Sequence, residues 1–260
     1  MTSDQQKNLE NKTTEELFHA TLEGDWEDET AWDAVHVLRL RGTEDVFHLA
    51  VIYCRSAVPV ERGRGLNVLA QLGAGKPQSQ RPHVEESVAI AIEHLCDEDP
   101  TVVDAAAWAL AHLGGDKAIS ALISLRKSLD PDIRWAVANG LNGSERADAI
   151  ATIIELLDDL DDKVRVWATF ALGTQWQVDS PEIRDALRKR LNDSYEMARN
   201  EAVWGLAQRK DPQGIRMLVE RLSADEWMPG DEMAAAETLG VPYNTPAEEL
   251  RGGLQMLLDA

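Results

Sequence analysis

The chain has 260 residues and a formal net charge of −20, with 26 Lys and Arg against 46 Asp and Glu. This charge argues against binding to DNA or RNA, where phosphate neutralisation supplies most of the affinity, and against an anionic membrane surface. Two interpretations of the acidity stay open: it attracts a basic protein partner, or it only keeps the protein soluble.

The N-terminal segment reads MTSDQQKNLENKTTEELF and lacks the apolar core of a signal peptide. We expect residues 1–12 to be disordered because they are polar throughout. Residues 13–22 are predicted to form a short capping helix, with Thr13 and Glu16 as a capping box.

The two cysteines, Cys54 and Cys96, lie in no CxxC or metal-binding spacing. This usage favours a reduced, cytoplasmic chain. The most apolar short run, VFHLAVIYC, is too short to span a bilayer.

A phrase beginning with Asp recurs every 31 residues: DPTVVDAAAWAL, DPDIRWAVANGL and DDKVRVWATFALG begin at Asp99, Asp130 and Asp161. We count the first apolar residue of each phrase as slot 0, so that apolar residues fill slots 0, 4 and 8, one face of an α-helix. Slot 7 is always Ala or Gly, which lets a neighbouring helix approach closely. The leucines at slot 8 are Leu110, Leu141, Leu172 and Leu206, and Leu38, Leu72 and Leu239 fit the pattern more weakly.

A second amphipathic stretch follows each of these helices, and several begin with Asp-Pro or Ser-Pro, an N-cap followed by Pro at the first helical position. No stretch alternates with period two for long, so we expect essentially no sheet. The polar segment GAGKPQSQRPH is predicted to be a longer loop. The sequence therefore predicts an all-α fold of about seven helix pairs, in one array over residues 13–260.

The phrases DPDIRWAVANGL and DDKVRVWATFALG resemble the HEAT-like repeats of the phycobilisome-lyase type, whose pattern is DxxVRxxAAxALG. The likeness is strong over residues 95–210 and weaker on both sides, and it extends to a widespread bacterial group of such proteins. The resemblance implies an α-solenoid that binds proteins. It also implies that the first helix of each pair lines the concave surface.

Slots 2 and 6 lie roughly opposite the apolar face, and slot 3 lies on its flank. These slots and slot 10 carry large aromatic and polar residues. The candidate partner-binding residues are Asp104, Trp108, His112, Trp135, Asn139, Trp167, Phe170, Asn200, Glu201 and Trp204. Tryptophan is enriched at interface hot spots because it offers a large rigid area and one donor. The alternative is that these rings wedge between adjacent repeats. Trp135 is the most exposed by helical phase.

Arginine recurs at slot 1, as Arg134, Arg165 and Arg199. It could form a basic track, but we favour a structural ladder in which each arginine pairs with the aspartates Asp99, Asp130 and Asp161 and with neighbouring carbonyls. The slot flanks the apolar face and repeats with the fold.

No catalytic or metal-binding motif is apparent, and we expect neither a metal nor a cofactor. GAGK at Gly73–Lys76 lacks the other residues of a phosphate loop. The six His residues form no HExxH motif or Cys/His cluster. HEAT-like di-iron hydroxylases use His-Glu dipeptides, which this chain lacks. Asp104 and His112 share a helix face, which alone is weak evidence for catalysis.

The sequence therefore predicts a non-enzymatic, monomeric scaffold or adaptor that binds a basic protein or peptide in an acidic, Trp-lined groove. Masking a basic toxin is one version of this role. The alternative is a bilin-lyase-like protein whose groove holds a tetrapyrrole, since Trp-rich walls suit a flat ring system.

Overall fold

The structure, a computed structural model, describes residues 8–24, 29–176, 178–224 and 228–260. Within these residues all regular structure is helical. The chain forms two compact units, Met1–Gly140 and Leu141–Ala260. The single array over residues 13–260 stays a prediction.

The helices of the first unit are α1 (Thr14–Ala20), α2 (Glu29–Arg41), α3 (Glu44–Cys54), α4 (Pro59–Leu69), α5 (Val84–Glu93), α6 (Pro100–Leu113), α7 (Gly115–Ser124) and α8 (Pro131–Gly140). The helices of the second unit are α9 (Ala147–Leu156), α10 (Asp162–Phe170), α11 (Pro181–Arg190), α12 (Glu196–Gln208), α13 (Pro212–Arg221), α14 (Pro229–Leu239) and α15 (Ala247–Asp259). In the described part of the chain, α1 is thus followed by seven consecutive helix pairs, as predicted. None of the described helices has the length and apolar character needed to cross a membrane.

The first helices of successive pairs pack side by side: α2, α4, α6 and α8 in the first unit, and α10, α12 and α14 in the second. The small residue at slot 7 permits this contact. A Cβ atom built on Gly205 of α12 would lie 2.4 Å from the Cα atom of Gly173. One on Gly140 would lie 2.4 Å from Leu122 Cδ1. Any larger residue at these two positions would collide with a neighbouring segment.

Helix α1 begins as predicted. The Thr13 side chain accepts from the Glu16 backbone N–H, and Glu16 Oε2 accepts from the Thr13 N–H at 2.8 Å. The expected disorder of residues 1–12 falls partly outside the described residues. From residue 8 onward the chain is packed: residues 8–10 are helical, Leu9 is buried, and Arg41 Nη2 donates to the Lys12 carbonyl at 2.7 Å.

The predicted N-caps with a following proline are present at α6, α11 and α13. The side chains of Asp99, Ser180 and Asp211 each accept a hydrogen bond from a backbone N–H in the first helical turn. These contacts satisfy donors that have no partner within the helix, and the proline costs nothing where an N–H would be free.

The arginines at slot 1 form a structural ladder. In four repeats an arginine Nη1 donates to the carbonyl six residues upstream: Arg62 to Ser56 (3.1 Å), Arg134 to Ser128 (2.8 Å), Arg165 to Asp159 (2.9 Å) and Arg199 to Asp193 (2.7 Å). The carbonyl part of the prediction is therefore correct. Arg62 places slot 8 of α4 at Leu69, three residues before the predicted Leu72.

The carboxylate part of the ladder differs from the prediction. Arg62 pairs with Asp97 at 2.7 Å, and Arg165 with Asp193 at 3.0 Å, both one repeat further along the chain. Asp99 and Asp161, which we expected to hold the arginines, instead cap the helices that follow them. They are engaged by backbone N–H groups of those helices. Arg165 also forms an ion pair with Asp162 in the first turn of α10.

Helix α10 continues into a π-helical turn, Ala171–Gln175. Arg209, which is buried, secures this turn from α12. Its two Nη atoms donate to five carbonyls, those of Leu172, Gly173, Trp176, Val178 and Gly205, at 2.5–2.9 Å. The turn is wider than an α-helix and frees carbonyls that the guanidinium then satisfies.

Candidate functional site

The ten predicted binding residues lie in two groups. Asp104, Trp108, His112, Trp135 and Asn139 belong to α6 and α8 of the first unit, and Trp167, Phe170, Asn200, Glu201 and Trp204 to α10 and α12 of the second. Nine of the ten are half-buried, and Asn200 is buried. Trp135, which phase predicts to be the most exposed, is half-buried like the other tryptophans named here, and so is Asn139.

Asp104 lines an acidic cavity of about 520 Å³ in the first unit. The cavity lies at the N-terminal ends of α4, α6 and α8 and is lined by Pro59, Val60, Asp99, Pro100, Thr101, Asp104, Asp130 and Asp132. Burial, followed by the charges of Asp132 and Asp130, raises the pKa of Asp104 to about 6. Asp99 and Asp130 accept backbone hydrogen bonds at their helix starts.

Trp108 and His112 belong to an aromatic cluster in the first unit. Their ring centroids are 3.9 Å apart, and the Trp108 ring is 6.2 Å from that of Trp32. His112 Nδ1 lies 3.0 Å from the Trp108 carbonyl, and burial lowers the pKa of the imidazole. His112 forms no hydrogen bond with Asp104 in the described residues, so the structure gives no catalytic dyad.

A second cavity, of about 250 Å³, lies in the second unit and brings together three of the predicted residues, Phe170, Glu201 and Trp204. Its other lining residues are Thr174, Gln175, Gln208, Gly230, Met233, Ala234 and Glu237. We call it the α10–α14 cavity, because α10 with its π turn, α12 and α14 supply all of these side chains.

Glu201 is half-buried in the α10–α14 cavity. Its Oε2 atom accepts from the Thr174 hydroxyl at 3.0 Å, and Thr174 lies in the π turn. Burial raises the pKa of Glu201 to about 7, only partly offset by this hydrogen bond. The carboxyl is therefore about half ionised near neutral pH.

Glu237 is the second carboxylate of this cavity, and it is exposed. Its Oε1 atom accepts from the Tyr243 hydroxyl at 2.9 Å, and its Oε2 atom accepts from the Gln208 amide. Both carboxylates of the cavity are thus oriented by neutral donors.

Trp204 combines the two roles considered for the tryptophans. It lines the cavity, but its ring also rests on α14: a Cβ atom on Gly230 would lie 2.3 Å from Trp204 Cζ2. Its Nε1 atom donates to Asp231 at 2.8 Å.

Asn200 departs from the expectation of an open binding surface, because its amide donates to Met228 Sδ at 3.1 Å and the side chain is buried. Trp167 packs edge-on against Phe170, with ring centroids 5.4 Å apart.

Sequence reasoning missed Met233 and Glu237, although the signal was present. Counted from Leu239 at slot 8, they occupy slots 2 and 6 of the last repeat. Thr174 and Gln208 occupy slot 10. The same slots that hold the predicted residues in the central repeats therefore build the α10–α14 cavity. No group of His, Cys, Asp and Glu in the described residues is arranged to hold a metal ion.

The family model for HEAT repeats matches residues 59–142 and 150–240, more than half of the chain. The chain therefore belongs to the HEAT-repeat family, and the predicted α-solenoid fold class is confirmed.

Protein YibA of Escherichia coli strain K12 is 27% identical to the chain over 211 residues, which are 80% of this chain and 74% of YibA. The crystal structure of E. coli YibA aligns with a TM-score of 0.74 at 22% identity, covering 98% of this chain and 95% of that one. A HEAT-like repeat protein from the archaeon Thermococcus onnurineus NA1 aligns with a TM-score of 0.53 at 18% identity, covering 95% and 98%. At these identities the two structures bear on the fold alone.

Proposed function

We propose that this chain is a non-enzymatic protein-binding scaffold that holds a basic segment of a partner against acidic and aromatic side chains of its first helices. One observation carries the proposal: the inward-lying carboxylates Asp104 and Glu201 have no cationic partner among the described residues. The three fully buried carboxylates, by contrast, are each paired with arginine: Asp193 with Arg165, Asp211 with Arg188, and Asp231 with Arg221.

A carboxylate withdrawn from water without a cation nearby carries a desolvation cost. A lysine or arginine from a partner would offset that cost on binding. The net charge of −20 would accelerate the encounter with a basic partner. A basic toxin held inactive by a cytoplasmic, monomeric scaffold fits this proposal, as does a basic tail docked on an adaptor.

The tetrapyrrole alternative is less well supported. The α10–α14 cavity, at about 250 Å³, is smaller than the ~300–1,000 Å³ of ordinary small-molecule sites. The larger cavity is lined by four aspartates, which would repel the carboxylate side chains of a bilin.

The proposal is tested by titrating the full chain with a capped decapeptide that alternates arginine and glycine, at about 50 and 300 mM salt. We expect saturable binding that weakens at least ~10-fold at the higher salt concentration, because exposed charge attraction is screened. The matched peptide that alternates glutamate and glycine should not bind.

The variant Asp104→Asn should weaken binding of the arginine peptide, whereas Asp185→Asn on α11 serves as the control. Asp185 is exposed and lines neither cavity, so the control removes the same charge elsewhere. Equal binding of the acidic peptide, or no binding of the basic peptide at either salt concentration, would contradict the proposal. A red-shifted absorbance on addition of free bilin would favour the tetrapyrrole alternative.

A further inference from the structure

We propose that the α10–α14 cavity is a slot for a single arginine side chain of the partner, with the guanidinium between Glu201 and Glu237 and against the rings of Phe170 and Trp204. The inference rests on the proposed function and assigns one residue type to one place in the binding surface.

The two carboxylates of the α10–α14 cavity, those of Glu201 and Glu237, are held by neutral hydrogen-bond donors. Glu201 is fixed by the Thr174 hydroxyl and Glu237 by Tyr243 and Gln208, all of them neutral donors. No arginine or lysine lines the cavity. Carboxylates of the same unit that serve only the fold are instead held by arginine, as at Asp193 and Asp211. The cavity therefore presents two oriented acceptors whose positive partner must come from outside.

The rest of the cavity wall includes two aromatic rings and a methionine side chain. Phe170, Trp204 and Met233 line the same cavity as the two carboxylates. An aromatic face attracts a cation through its quadrupole, most strongly where water is excluded, and arginine is the cation that most often uses this contact. The methionine adds a polarizable, adaptable surface.

The placement of the two carboxylates favours an arginine side chain over a lysine side chain. The two carboxylates come from different helices, α12 and α14, so a ligand must bond in two directions at once. A planar guanidinium offers five N–H donors and an apolar face that stacks on a ring, and it sheds water more readily than an ammonium group. A cavity of about 250 Å³ suits one such side chain rather than a larger ligand.

The walls of the α10–α14 cavity are held in place by contacts within the fold. Arg209, at the C-terminal end of α12, donates to two carbonyls of the π turn that carries Thr174, those of Leu172 and Gly173, and to two carbonyls just after it. The close approach of Gly173 and Gly205 also holds the turn against α12. Trp204 is fixed by its bond to Asp231 and by Gly230. A preorganised site loses little freedom when its ligand binds.

The test uses the full chain labelled with ¹⁵N and three capped pentapeptides whose central residue, flanked by glycines, is arginine, lysine or citrulline. The reporter is the Trp204 indole N–H resonance, assigned by its loss in Trp204→Phe. The arginine peptide should move this resonance saturably. The lysine peptide should bind at least ~3-fold more weakly, and the neutral citrulline peptide should not move it.

Glu201→Gln should weaken the arginine peptide ~10-fold or more, because it removes a charge-assisted contact in a partly desolvated site. Glu249→Gln, on the exposed face of α15, is the matched control and should bind as wild type. Glu237→Gln is the second cavity variant. Its side chain is exposed, so its loss leaves folding intact and should also weaken the peptide.

Three results would overturn the slot: no saturable shift, a citrulline or lysine response equal to that of arginine, or wild-type affinity in both cavity variants. If the arginine–glycine decapeptide still binds with the expected salt dependence, the slot fails and the scaffold proposal stands. If the decapeptide also fails to bind, the scaffold proposal fails with it.

Discussion

The carboxylates at the turns between repeats differ from the carboxylates in the cavities in whether an arginine is paired with them. At the turns, Asp97 and Asp193 each meet an arginine of the preceding repeat. Arg190 reinforces Asp193, with its Nη1 atom 3.0 Å away. In the cavities, by contrast, neither Asp104 nor Glu201 has a cationic partner among the described residues, and Glu201 accepts a hydrogen bond from the Thr174 hydroxyl.

The pKa values express the same contrast. The hydrogen bond from Arg62 lowers the pKa of Asp97. Burial raises the pKa of Asp193, but hydrogen bonds from Arg165 and the Tyr195 N–H bring it below the ordinary value. Burial raises the pKa of Asp104 and Glu201 above the ordinary value. A paired carboxylate stabilises the fold, and an unpaired one in a cavity reduces stability until a cation arrives. We take the second arrangement as the mark of a binding surface.

The largest effect is expected at the turns. Asp193→Ala removes the partner of Arg165 and Arg190 and the acceptor of the Tyr195 N–H. It leaves the buried guanidinium of Arg165 with the exposed Asp162 as its remaining carboxylate partner, so the free energy of unfolding should fall by ~3 kcal/mol, the low end of the range for breaking a buried pair. Urea denaturation followed by circular dichroism measures this loss. Asp185→Ala, which breaks an exposed pair with Arg188, is the control and should change little. Equal losses in the two variants would remove the distinction between the turns and the open surface.

The next effect concerns the scaffold beneath the α10–α14 cavity. A methyl group on Gly205 would press on Gly173, so Gly205→Ala should destabilise by ~1–3 kcal/mol through overpacking. Gly252→Ala on α15 is the control. Its new Cβ meets nothing within 4 Å, and alanine favours a helix, so this variant should be as stable as wild type or more so. A thermal melt compares the two, and a Gly205→Ala protein that melts like wild type would contradict the close approach.

The third effect concerns Glu201. Folding raises its pKa, whereas folding lowers the pKa values of Asp97 and Asp193 at the turns. Its pKa rises from its ordinary value near 4.5 to about 7 on folding, so the folded chain binds the proton more tightly than the unfolded chain. The contribution of Glu201 to stability is therefore greatest below about pH 4.5 and is lost as the pH rises from there through 7.

Glu201→Gln abolishes that decline because the amide is neutral at every pH. It should stabilise the protein by up to ~3 kcal/mol at pH 8 and make little difference at pH 4. Denaturation midpoints at the two pH values measure this, with Glu249→Gln as the control. A variant that is less stable than wild type at pH 8 would show that Glu201 has a favourable partner in the free protein.

Much of the fold could be predicted from the sequence, because the repeat is written in local patterns. The capping box of Thr13 and Glu16, the Asp-Pro helix starts and the seven helix pairs follow from spacing alone. The ladder partners could not be predicted, since they depend on which aspartate of the next repeat lies nearest to each arginine. The π turn could not be predicted either, because Arg209, which stabilises it, lies 36 and 37 residues along the chain from the carbonyls of Gly173 and Leu172 that it contacts.

The candidate site could be predicted in its slots but not in its composition. The outward slots indicated Phe170, Glu201 and Trp204, and these residues line one cavity. Asn200 shares the pattern yet is buried, because Met228 packs over it from the following segment. The absence of a cationic partner for Glu201 is a property of three helices together and has no signature in any one of them.

The most direct test of the central claim is the number of protons released when the arginine–glycine decapeptide binds at pH 7. It is measured by isothermal titration calorimetry in phosphate and in Tris, which differ in ionisation enthalpy. A carboxyl with a pKa of about 7 must ionise as a cation settles beside it, so binding should release roughly half a proton, and Glu201→Gln should abolish this release. Binding without proton release, or an equal release in Glu201→Gln, would contradict the claim that Glu201 ionises and pairs with a cation when the partner binds.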